Sequence, residues 1–92
     1  MLTLHDLNQV ANAIYRVEGG SHTHFPYGIL SIHTQHPRQV CINTIAHAAR
    51  EYHIVKCDRY FIYVLAERYC PKECDAQGNV NWSKNMIQIL NL

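Results

Sequence analysis

Apolar residues recur three and four positions apart along most of the chain. Leu4, Leu7, Ala11 and Ile14 open the series with the spacing of one buried α-helical face. Thr3 with Asp6 three residues on forms a capping-box pattern that starts this helix, and Gly19 and Gly20 stop it. Residues 21–36 are rich in His, Pro, Gly and Ser and predict an irregular loop, in which "GILSI", Gly28 to Ile32, has the composition of a short extended piece. Pro37 suits the first turn of a second helix. Its stripe of Val40, Cys41, Thr44, Ile45, Ala48, Ala49 and Tyr52 is broad and rich in small residues, so another helix can approach it closely. Asp58 is placed to cap a third helix carrying Phe61, Val64, Leu65 and Tyr69, which ends at Cys70 and Pro71. The polar stretch "KECDAQGNVN", Lys72 to Asn81, predicts a loop leading to a fourth helix with Trp82, Met86, Ile89 and Leu90.

No repeat, linker or low-complexity segment interrupts this pattern. It predicts one domain over residues 1–92, mainly α, with about four helices and one irregular loop. At 92 residues and 48% hydrophobic, the chain is long enough for one small core. The formal net charge of +1 supplies no strong field for nucleic acid or an anionic membrane. No apolar run approaches the roughly 18 residues of a membrane span, so no membrane insertion is expected. The first residues have no basic leader followed by an apolar run, which reads as a chain that does not export itself. The oligomeric state is not encoded in any of these patterns.

Glu18 departs from the pattern. The steps from Leu7 to Ala11, Ile14 and Glu18 are four, three and four residues, so this acid continues the apolar stripe of the first helix. It also falls in the last helical turn, where the macrodipole disfavours a carboxylate. Desolvation and dipole both favour the protonated acid, the state needed to donate a proton near neutral pH. His22 and His24, if charged and close, act the other way. The alternative is a structural glutamate that accepts hydrogen bonds from backbone N–H groups of the following loop.

"VEGG", the irregular loop and "YGILSI" together resemble the start of the lysozyme-like lytic transglycosylases. In that family a catalytic glutamate ends a helix, small residues follow, and a "GLMQI"-type segment lines the cleft. Glu18 matches the glutamate, and Gly28, Ile29, Leu30, Ser31 and Ile32 match the segment, with Ser31 where glutamine is usual. "CINT" at Cys41 to Thr44, "RYCP" at Arg68 to Pro71 and "NWSKNM" at Asn81 to Met86 are similar to small phage and prophage proteins of this type. The resemblance implies a lysozyme-like helical fold with a cleft loop and cleavage of peptidoglycan glycan strands by one glutamate. It places the action in the bacterial cell wall or periplasm, reached by phage delivery or holin-dependent release. Tyr27, Gly28, Ser31, Tyr63 and Asn85 become candidates for holding the sugar, with Tyr69 and Phe25 beside them. The family's "AYNAG"-like segment, which supplies a tyrosine to the site, has no counterpart here, so Tyr63, Tyr69 or Asn85 is the candidate for that place.

Seven histidines are many for this length, and "CPKEC" falls within loose zinc-ligand spacing. No second Cys or His pair stands at a zinc-module distance, so neither a metal nor another cofactor is expected. Cys70 and Cys74 leave a disulfide open. Tyr52, Tyr60, Tyr63 and Tyr69 read as core and rim. The leading functional reading is therefore a glycan-strand cleaver, a transglycosylase or muramidase. The alternative is a non-catalytic module of the same fold that binds glycan or a partner protein, and a metal-dependent helical regulator is the weakest candidate.

Overall fold

The computed structural model describes residues 2–23, 26–27 and 34–92. Among these lie four α-helices and no strand: α1 (Leu4–Val17), α2 (Pro37–Glu51), α3 (Arg59–Tyr69) and α4 (Ala76–Leu90). The protein is mainly α, as the periodicity predicts. Its radius of gyration of 12.1 Å is that of a compact chain of this length, about 12 Å.

α1 begins with the reciprocal bonds of a capping box. The Asp6 N–H donates to Thr3 Oγ1 at 3.0 Å, and the Thr3 N–H donates to Asp6 Oδ2 at 3.1 Å. The helix closes at Glu18, whose N–H reaches the Ile14 carbonyl at 2.9 Å. Gly19 follows at φ +104° and Gly20 at φ +55°, a left-handed backbone that L side chains avoid. A Cβ on Gly20 would also press on the Tyr15 ring at 3.1 Å. The two glycines therefore turn the chain sharply into a short 3-10 turn, Gly20–His22, and leave Glu18 at the rim of the core.

Pro37 occupies the first turn of α2. Cys41, Ile45, Ala48 and Ala49 of its predicted stripe are buried. Tyr52 is not: the helix has ended at Glu51, and the ring is 45% exposed. Asp58 caps α3 by accepting from the Phe61 N–H at 3.1 Å, and α3 ends before Pro71.

α4 starts earlier than the sequence predicts, inside the polar stretch Lys72 to Asn81. Asp75 is its N-cap, with Oδ1 accepting from the Gly78 N–H at 2.8 Å. Gln77, Val80 and Asn81 face solvent, so the first turns are a polar face of a helix with no apolar period to betray it. Asn79 faces inward, and its amide donates to the Cys70 carbonyl at 2.9 Å and to Glu67 Oε1 at 3.2 Å. This buried amide ties the end of α3 to α4. One turn on, the buried Ser83 hydroxyl has no hydrogen-bond partner among the described residues.

The core is the meeting of four stripes. Val10, Ala11, Ala13 and Ile14 of α1 pack with α2 and α4, while Phe61, Ile62, Leu65 and Ala66 of α3 pack with α4 and α2. Trp82 and Met86 of α4 complete it. The alanines let the backbones approach, so the first and last helices lie against each other, and that contact builds the site.

Candidate active site

Glu18 is half-buried at the end of α1, as its place on the stripe predicts. Its Oε1 accepts a hydrogen bond from the indole Nε1–H of Trp82 at 3.0 Å. Burial raises the Glu18 pKa above the ordinary carboxyl value of 4.5, and the indole bond, which favours the anion, lowers it part of the way back. The net result is a carboxyl that holds its proton to higher pH than a solvated one.

Trp82 is 6% exposed. It stacks on Tyr69 of α3 with ring centroids 5.4 Å apart and planes within 10°. The Tyr69 hydroxyl in turn lies 3.5 Å from Cys41 Sγ of α2. Burial pushes the Tyr69 phenol far upward, and it pushes the Cys41 thiol upward as well. Both groups are neutral near neutral pH, so Cys41 is no thiolate nucleophile. Cys57, half-buried near Asp6 and Asp58, is pushed up to about 11. All four cysteines are free thiols.

The other candidates are distributed unevenly. Tyr27 is buried, its ring tilted against Tyr15 at a centroid distance of 5.4 Å. Its hydroxyl accepts from Arg38 Nη1 at 3.0 Å, and Arg38 Nη2 donates to Asn8 Oδ1 at 2.9 Å. Tyr27 thus anchors its segment to α1 and α2, and presents no open ring for a sugar. Gly28 and Ser31, with the rest of the "GILSI" segment, Phe25, His24 and His33, lie outside the described residues. Tyr63 stands 51% exposed on α3, turned well away from the buried stripe that carries Tyr69. The tyrosine brought toward Glu18 is Tyr69. Asn85 is exposed and lines a groove of about 470 Å³ with Arg16, Val17, Gln88 and Ile89, on the outer side of the α1–α4 seam.

Trp82 as the partner of Glu18 was legible only as the "NW" pair of a family-like motif, and its role as a donor to the acid was not. An apolar groove of about 390 Å³ lined by Leu2, Leu7, Ala49, Ile54 and Val55 lies toward the other end of α1. Leu7 is eleven residues, about 16 Å of helix, from Glu18, so this groove is separate from the acid. His22 and His36 are exposed. Among the described residues, no three His, Cys, Asp or Glu side chains gather in a group that could hold a metal ion. No helix there is long and apolar enough to cross a membrane.

The arrangement offers one chemistry clearly: a lone carboxyl with raised pKa, held by a rigid donor, at a helix end beside a sharp glycine turn. Comparison of the chain with protein-family models, with curated proteins and with solved structures found no match.

Proposed function

We propose that this protein cleaves the glycan strands of peptidoglycan, with Glu18 as general acid and then general base. The observation that carries this reading is the half-buried Glu18 carboxyl with raised pKa at the end of α1. Breaking a glycosidic bond requires a proton on the leaving oxygen while positive charge develops on the sugar. Glu18 gives its proton to that oxygen as the C–O bond breaks. The resulting carboxylate then takes a proton from a hydroxyl of the same sugar, whose oxygen attacks the anomeric carbon and closes an anhydro ring. The proton count balances, and the acid is regenerated without a second protein nucleophile. The place of action on this reading is the bacterial cell wall.

The test is clearing of purified cell walls by the intact protein and by Glu18→Gln. The amide keeps the shape and still accepts from Trp82, yet has no acidic proton. Clearing should fall by about 10²-fold or more, within the range that a placed general acid supplies, with folding retained. Equal clearing by the two proteins would make Glu18 structural. Binding to walls without any clearing by the intact protein would assign the chain instead as a non-catalytic glycan-binding module.

A further inference from the structure

A protonated carboxyl has two unequal oxygens: one carries the proton, and the other, the carbonyl oxygen, is the better acceptor. The Trp82 indole can only donate, and it donates to Oε1. Oε1 is therefore the accepting oxygen, and the proton belongs on Oε2. Among the described residues, Oε2 accepts no hydrogen bond that would compete for that place. The terminal torsion of a glutamate is otherwise broad and two-fold, so an unheld Glu18 would carry its proton on either oxygen in either direction.

We propose that Trp82 is a positioning residue for the reaction proposed above: by occupying Oε1, its indole N–H places the acidic proton of Glu18 on Oε2, the oxygen left for substrate. The inference rests on that functional reading but adds a residue and an atom to it. The donor is itself fixed from three sides. Trp82 is carried by α4, its ring is stacked on Tyr69 of α3, and the Tyr69 hydroxyl meets Cys41 of α2. A donor so confined cannot follow the carboxyl if the latter rotates, and so it selects one orientation of the acid. The titratable groups around the pair, Cys41 from α2, Tyr69 from α3 and Cys70 at the end of α3, are all pushed upward and stay neutral over the range in which Glu18 titrates. A change in the Glu18 midpoint on altering the indole therefore reports the bond between them.

Trp82 is the only tryptophan of the chain, so growth on fluorotryptophan alters this indole alone. Ring fluorine makes the N–H a stronger donor and changes the volume little. With the analogue, the Glu18 midpoint, followed by NMR of the side-chain carboxyl carbon, should shift downward. The alkaline limb of wall clearing should shift with it. A midpoint that stays or rises overturns the proposal. Trp82→Phe keeps a ring for the Tyr69 stack and loses the donor. It should lower kcat about tenfold, part of what a placed acid supplies, with KM within about twofold. Unchanged kcat overturns the proposal as well. Should this variant fail to fold, the fluorotryptophan midpoint decides alone. The two readings fail separately, because the midpoint is measured without substrate. A shifted midpoint in a protein that never clears walls supports the hold on the carboxyl and refutes glycan cleavage. Clearing with an unmoved midpoint refutes the positioning role.

Discussion

At Glu18 two influences oppose each other, and their balance has consequences for stability as well as for acidity. Burial, the larger, favours the neutral acid, and the indole bond favours the anion. The folded pKa therefore lies above the unfolded value of 4.5. Below 4.5 both states are protonated, and the full stabilising contribution of the neutral carboxyl is present. It is lost as pH rises through the folded pKa. Glu18→Gln escapes that loss, so its melting temperature should exceed that of the intact protein at neutral pH, with the gap closing in acid. Thermal unfolding followed across this range checks it. A gap of the opposite sign would mean that the ionised carboxylate is the form the fold prefers. Wall clearing should decline over the same alkaline interval, since only the protonated acid can donate. The burial of Glu18 was legible from the spacing of Leu7, Ala11 and Ile14. Its partner was not, because a contact between residues 18 and 82 depends on how two helices dock.

The helix ends show which local signals are strong enough to be read. Thr3 and Asp6, Pro37, Asp58 and the Cys70–Pro71 stop each act within a few residues, and each stands where it was predicted. α4 was predicted too short, since Asp75 and the polar turn after it look the same in a loop as at the start of a helix whose first face is wet. The cap and its neighbour can be tested together. Asp75→Ala should cost about 1 kcal/mol in chemical denaturation. Gly78→Ala should fail to return the roughly 1 kcal/mol that alanine normally adds inside a helix, because its Cβ would collide with the Asp75 carboxylate and press on Cys70 Sγ. A clear gain from Gly78→Ala would mean that the cap yields freely. Tyr52 was misassigned for a related reason: periodicity continues past the point where a helix stops.

Across the whole molecule the carboxylates are divided sharply by use. Asp6, Asp58 and Asp75 cap helices; Glu51 pairs with Arg68 at 2.5 Å; Glu67 accepts from Asn79; Glu73 is exposed in the turn before α4. A glycoside hydrolase generally requires a second carboxylate about 5–9.5 Å from the acid, and among the described residues the hydrogen-bond partner of Glu18 is the Trp82 indole, not a second acid. Digested walls should therefore carry anhydro-sugar ends. Mass spectrometry of the fragments decides, and fragments one water heavier would show hydrolysis. Glu67 accepts from the Asn79 amide, a contact between α3 and α4 that no reading of helix faces predicts. The docking of α1 against α4 also sets an order in time. During synthesis Glu18 emerges 64 residues before Trp82, and domains complete their folding only as their last elements arrive. A nascent chain that has released three helices has neither the indole nor the wall that dries the carboxyl, so its glutamate titrates like any solvated acid. The raised pKa of Glu18 is thus acquired only once α4 has docked on α1.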